Sequence, residues 1–153
     1  FIDIGAFWNG YFSDVGRTVI CGKPSKEQKR IYQAVYSSLK AGIQKMRPGV
    51  RTSEAAAAFI NQAKEFGLEK NFINLFIGHG TGAAPAESPF VGETMPGAND
   101  PVLQPGMVIA LEPLIWVKGV RGGGGIRIED MVLITDGDPV VLSRAPYDEL
   151  LLD

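Results

Sequence analysis

Histidine and cysteine are almost missing from this 153-residue chain, which has one of each, His79 and Cys21. A lone cysteine excludes an intramolecular disulfide and a thiolate metal cage, so a reducing, cytoplasmic setting is expected. No apolar run reaches the ~20 residues of a membrane helix, so no membrane partner is expected. The charge is nearly balanced, 15 basic against 17 acidic residues for a net −2. With no Lys/Arg block and no aromatic-basic interleaving, no nucleic acid is expected either. An initiating Met and a leader are also missing. The chain opens at Phe1 inside an apolar strand pattern, and a removed signal or upstream segment is expected. What remains is ordinary for a globular protein: 45% hydrophobic and 21% charged residues, enough for one domain with its own core.

The first twenty residues read as a hairpin. Ile2, Ile4, Ala6 and Trp8 alternate with Asp3 on the other face, the period of a strand. Asn9-Gly10 is a two-residue turn signal, and Tyr11 to Cys21 resumes a strand. That turn sets Trp8 opposite Tyr11, and therefore Asp3 opposite Gly16 and Asp14 opposite Gly5. Directly opposed residues share a face, so both aspartates emerge together, each beside a glycine that leaves room. Carboxylates so placed repel unless a cation lies between them.

Two helices follow. Ser25 and Gln28 form a capping-box pattern, and Tyr32, Tyr36, Leu39, Ile43 and Met46 recur at helical spacing until Arg47-Pro48-Gly49. The second helix is expected to start after Thr52 or Ser53. It buries Ala55 to Ala58, Phe59, Ala63 and Phe66, and Gly67 stands at its C-cap. Both read as scaffold.

His79 sits among glycines in Gly78-His79-Gly80-Thr81-Gly82, bare backbone that admits a ligand or cation. The phrase lacks the strand-turn-helix setting of a dinucleotide site and the Lys-Ser/Thr end of a phosphate loop. Five prolines (Pro85, Pro89, Pro96, Pro101 and Pro105) make 83–105 an extended loop walling a cleft, with Glu87 and Glu93 solvated.

The last third reads as a second hairpin, Met107 to Val117 and Ile126 to Thr135, joined through Gly122 to Gly125. Glu112 and Glu129 lie inside apolar runs, where a lone carboxylate costs several kcal/mol unless protonated, hydrogen-bonded or held by a cation. Arg127 shares the face of Glu129. It pairs with a carboxylate, holds a substrate oxygen, or simply lies at the surface. Asp3, Asp14, His79, Glu112 and Glu129 together make the inventory for two divalent cations with bridging oxygens, and hydrolysis is the leading reading.

In order, Asp3-Ile4-Gly5, Gly10 to Thr18, Gly78 to Gly82, Pro105 to Pro113 and Ile126 to Asp130 resemble the pita-bread metallopeptidases. These include methionine aminopeptidase, Xaa-Pro aminopeptidase and prolidase, and the details are closer to the Xaa-Pro aminopeptidase and prolidase branch. The resemblance implies an α+β pita-bread fold (creatinase/aminopeptidase-like), a curved antiparallel sheet with helices on its outer face. It implies that 1–153 is the C-terminal part of a single catalytic domain whose N-terminal elements precede Asp3. It implies that Asp3, Asp14 and Glu129 hold one metal and Asp14, His79, Glu112 and Glu129 the other. Mn²⁺ is the expected ion, with Co²⁺, Fe²⁺ or Zn²⁺ as alternatives. A hydroxide between the ions would be the nucleophile and Glu112 the proton shuttle. Arg127 matches an arginine that supports the site in the prolyl-specific branch. The implied partner is a peptide or small amide substrate, and a homodimer is the implied assembly. One departure matters: Ala86 stands where the family pattern carries a second histidine. That change leaves open a small non-peptide C–N substrate, or a binding module without catalysis.

Overall fold

The computed structural model describes residues 1–92 and 100–153. Glu93 and Pro96, read above as parts of a loop, lie outside the described residues. The order is β1 (Ile2–Trp8), β2 (Tyr11–Arg17), α1 (Lys26–Ile43), α2 (Thr52–Glu65), β3 (Gly78–Gly80), β4 (Glu87–Val91), β5 (Val108–Leu111), β6 (Leu114–Trp116), β7 (Gly125–Arg127), β8 (Asp130–Leu133), β9 (Val140–Val141) and α3 (Glu149–Leu152), with a 3₁₀ turn at Glu69–Asn71. The central sheet runs β4-β3-β5-β8-β9, and the hairpins β1-β2 and β6-β7 stand as two-stranded ribbons.

The first hairpin has the register its turn dictates. Trp8 pairs with Tyr11, Asp3 with Gly16 and Gly5 with Asp14. Asn9 and Gly10 both take positive φ, 49° and 88°, as a type I′ turn requires. The second strand stops at Arg17 rather than continuing to Cys21. Thr18 leaves the ladder to exchange hydrogen bonds with the backbone of Arg127 instead.

Helix α1 begins where its capping box says. The Ser25 side chain accepts from Gln28 N–H, and the Gln28 side chain accepts from Ser25 N–H. The helix ends at Ile43, short of the expected Met46, in a tighter turn closed by Lys45 N–H to Gly42 and Met46 N–H to Ile43. Helix α2 starts at Thr52 with Arg51 as N-cap, and Arg51 supplies no side-chain cap. Asp100 supplies it from a distant segment, accepting from Ser53 N–H at 2.9 Å and from Thr52 Oγ1 at 3.1 Å. A carboxylate at a helix start is favoured by the exposed N–H groups and by the helix dipole.

Strand alternation separates the two faces of the central sheet. Ile109, Leu111 and Val132 point one way and join the buried cluster of Ile31, Leu39, Phe59 and Ile128 against the helices. His79 pairs with Ala110, which pairs with Met131, so these three face the other way, towards β2. The Met131 thioether accepts from Asp14 N–H at 3.2 Å and docks the hairpin there.

Three further expectations change. Residues 83–105 are not all loop, because Glu87–Val91 forms β4. An edge strand tolerates Pro89, whose missing N–H costs no ladder bond on the open side. The glycines around His79 serve strand packing more than ligand access. A Cβ on Gly78 would run into the Ala110 carbonyl, and one on Gly80 would lie 2.6 Å from the Ser88 carbonyl. The last hairpin is two shorter ones, since the β5–β6 strand breaks at Glu112-Pro113 directly across from a break at Ile128-Glu129.

Where the two helices cross, Gly42 lies against the ring of Phe59, and a Cβ there would overlap the ring. Gly→Ala inside a helix ordinarily stabilises by about 0.5–1 kcal/mol. Here overpacking of about 1–3 kcal/mol outweighs it. Gly42→Ala should therefore lower stability in urea unfolding, and adding Phe59→Leu should recover part of the loss. A stabilised Gly42→Ala variant would contradict this packing.

Candidate metal centre

Five separate segments deliver the site. β1 carries Asp3, β2 carries Asp14, and β3 carries His79. Glu112 and Glu129 sit at the paired strand breaks, where the chain leaves the ladder and can turn a side chain inward. His79, Glu112 and Glu129 are 3%, 3% and 1% exposed. Asp14 is half-buried and Asp3 exposed. Donor atoms of Asp14, His79 and Glu129 lie within 4.8 Å of one another, and so do those of Asp3, Glu112 and Glu129. Glu129 is common to both groups. All four acids and the one imidazole singled out in the sequence are thus brought together.

The local packing explains how Glu129 enters. Gly16 has no side chain, and a Cβ there would sit 2.8 Å from Glu129 Oε2. Glu129 N–H donates to the Gly16 carbonyl at 2.9 Å, so the strand that makes room for the carboxylate also holds its backbone. Glu129 Oε2 is buried without a hydrogen-bond partner. A buried carboxylate oxygen without a hydrogen-bond partner, close to other donor atoms, is one that a cation would satisfy.

His79 is oriented from both sides. Its Nδ1 lies 2.9 Å from the Gly80 carbonyl, which can only accept, so Nδ1 carries a proton there. Its Nε2 then faces Glu112 Oε1 at 3.3 Å and Asp14 Oδ2 at 3.8 Å. Phe76 stacks on the ring with centroids 5.2 Å apart. Arg127 pairs with carboxylates rather than lying free at the surface: its Nη2 reaches Asp3 Oδ2 at 2.9 Å and also Glu112 Oε2. Phe76, Thr18 and Met131 were not singled out from the sequence. Thr18 stands inside the Gly10-to-Thr18 phrase, and its contact with Arg127 could not be inferred from that phrase alone. Glu87, expected to be solvated, is half-buried, and its carboxylate accepts from Ala84 N–H at 3.1 Å. Ala86 beside it is exposed.

Crowding shows in the proton affinities. Burial first, then the charges of Glu112, Asp14 and Asp3, push Glu129 from 4.5 up to about 8, with Arg127 opposing. Burial and then Asp3 raise Asp14 from 3.8 to about 6. His79 is also raised: burial alone would lower it, but Glu112, the Gly80 carbonyl and Asp14 outweigh that.

Residues 1–136 match the description "Metallopeptidase family M24". The chain belongs to metallopeptidase family M24. It is 37% identical over 149 residues to an Xaa-Pro dipeptidase of Pyrococcus furiosus, an alignment covering 97% of this chain and 40% of that protein. The fold superimposes on the prolidase of Pyrococcus horikoshii OT3 with a TM-score of 0.85 at 35% identity, covering 97% of this chain and 40% of that one. An X-Pro aminopeptidase of Thermotoga maritima superimposes with a TM-score of 0.84 at 27% identity, covering 95% and 39%. The fold is therefore the α+β pita-bread fold of the prolidase branch, and the chain spans about 40% of the length of these relatives. No helix among the described residues is long and apolar enough to cross a membrane.

The raised acids fix the sign of the pH response of the cation-free M24 chain. Folded Glu129 and Asp14 keep protons that the unfolded chain has already released. The stabilisation this brings is fully present below their ordinary values and is lost as pH rises towards about 6 for Asp14 and about 8 for Glu129. With chelator present, the melting temperature should fall between pH 5 and pH 8.5. Glu129→Gln should flatten the upper part of that fall. A melting temperature that rises through this window would show that the acids are not crowded as described.

Proposed function

We propose that residues 1–153 form the metal-binding part of one pita-bread catalytic domain that hydrolyses the amide bond before proline in short Xaa-Pro peptides, using a pair of divalent cations. The observation that carries this is the grouping of Asp3, Asp14, His79 and Glu112 around Glu129, whose Oε2 is buried and unpartnered. The printed names of the relatives, Xaa-Pro dipeptidase and prolidase, supply the substrate class.

Four carboxylates against one imidazole form a hard donor set, which favours Mn²⁺, Co²⁺ or Fe²⁺ over a closed Zn²⁺ site. Asp14 and Glu129 would be shared, with Asp3 completing one position and His79 with Glu112 the other. When bound, such cations supply Lewis acidity and a water acidic enough to attack at neutral pH. The chain's own residues do the rest. Glu112, pinned by Arg127 and facing His79, takes the proton of the attacking water and hands it to the leaving nitrogen. Arg127 acts by holding Glu112 and Asp3 in place. Ala86 stands where the family pattern carries a histidine, and its methyl group offers no hydrogen bond to the carbonyl oxygen as charge develops there. The exposed, unpaired Cys21 fits a reducing, cytoplasmic setting.

With Mn²⁺ in excess, the protein should bind a pair of ions, as counted by metal analysis, and cleave an Xaa-Pro dipeptide slowly. Asp14→Ala or Glu129→Ala should lower the ion count and reduce cleavage by orders of magnitude. Glu87→Gln should leave the ion count unchanged, because Glu87 serves the loop. No bound Mn²⁺ in the parent would overturn the metal reading.

Supplying the missing donor through Ala86→His should raise the initial rate by about 10²–10³. Brisk cleavage by the parent would mean another group already supplies that donor. No cleavage by parent or variant would turn the assignment to a non-peptide amide.

A further inference from the structure

A buried ionic chain behind the site has no part in the chemistry described above. Arg17, at the end of β2, is 9% exposed and spends its donors on five residues. Nη1 donates to the Gly16 and Glu129 carbonyls, and Nη2 to Asp130 Oδ1 at 2.8 Å and the Ala145 carbonyl at 2.7 Å. Nε reaches the Ala145 and Pro146 carbonyls at 3.2 and 3.1 Å. The guanidinium therefore bolts together two backbone points, Gly16 and Glu129, and the Glu129 side chain runs past the first of them. Asp130 is fully buried. Its other oxygen, Oδ2, accepts from the Tyr147 hydroxyl at 2.6 Å. Lys40 of α1 donates to that same hydroxyl at 2.8 Å. An ammonium has donors only, so the Tyr147 proton must point at Asp130.

We propose that Tyr147 is a positioning residue: through Asp130 and Arg17 it fixes the separation of Gly16 and Glu129, and so the seating of the carboxylate common to both donor groups. Without the hydroxyl, Asp130 Oδ2 is buried and unsatisfied, and such a loss drives a side chain to find another partner. Arg17 Nη2 already lies 2.8 Å from the other oxygen, Oδ1, and is a donor at hand. A carboxylate that takes Arg17 with both oxygens draws Nη1 away from the Gly16 and Glu129 carbonyls. The junction between β2 and Glu129 then rests on the Glu129 N–H bond and on Thr18. Burial and the bond to Asp130 raise the Tyr147 phenol well above its ordinary value, so the hydroxyl stays protonated. The consequence for cation binding rests on the metal reading above, while the consequence for the junction does not.

The test compares parent, Tyr147→Phe, Lys40→Met, and a control, Ala63→Gly on α2, with the temperature adjusted so that all are equally far below their melting points. Amide hydrogen exchange at Glu129 reads the junction without metal. Tyr147→Phe should speed it about tenfold relative to amides of the α1–α2 core, Lys40→Met should act in the same direction but less, and Ala63→Gly should not alter the ratio. Mn²⁺ titration should show affinity weakened about tenfold in Tyr147→Phe, as for other residues that orient ligands from behind, and unchanged in the control. If Glu129 exchange in Tyr147→Phe keeps step with the core, or if Ala63→Gly shifts it equally, the role is merely structural and the proposal falls. Parent protein that binds no Mn²⁺ would sink the metal reading while the exchange experiment still decides this one.

Discussion

Four carboxylates meet at one place, two of them buried, and their mutual repulsion is the constraint around which the chain is arranged. Burying one unpaired acid is costly, and burying several within reach of each other is worse. The chain tolerates this because each acid enters from a different segment whose backbone is anchored elsewhere. Asp14 hangs from the thioether of Met131, Glu112 N–H from the Ile77 carbonyl, and Glu129 N–H from Gly16. Arg127 places one positive charge between Asp3 and Glu112. Burial, and after it the repulsion that remains, raises the proton affinities of Glu129 and Asp14.

The sheet's two faces divide the labour. One face is closed by α1 and α2 through Ile109, Leu111 and Val132. Burial of roughly 1.5–3 kcal/mol for each such side chain makes this the source of stability. The other face carries His79 and Met131 and receives β2. Interrupting β5–β6 and β7–β8 at opposed positions sacrifices ladder bonds at one place only, and that place is where Glu112 and Glu129 turn inward.

Local rules made part of this legible in the sequence. Asn9-Gly10 leaves a hairpin one register, so the shared face of Asp3 and Asp14 followed at once. Ser25 and Gln28 announced α1 because both partners of a capping box lie within four residues. Glu112 and Glu129 stood out because acids inside apolar runs require an explanation. Long-range features were not legible. The Asp100 cap of α2 joins residues far apart in the chain, and the Arg17–Asp130–Tyr147 chain leaves no local spacing to detect. β4 was hidden by its proline, which an edge position excuses. The glycines flanking His79 suggested open space, whereas they mark backbones packed against backbones.

The dispersal of the donors has a consequence for biosynthesis. Asp3 comes with the first strand and Glu129 with nearly the last, and pairing across such separations closes late because loop entropy must be met first. A nascent chain that has emerged only to Gly125 presents Asp3, Asp14, His79 and Glu112 but lacks the one acid common to both groups. Its central sheet also lacks β8, which flanks β5 on the side away from β3. The complete donor cluster thus comes into being only in a molecule that has already folded, and a growing polypeptide has no premature version of it to offer the ions of its surroundings.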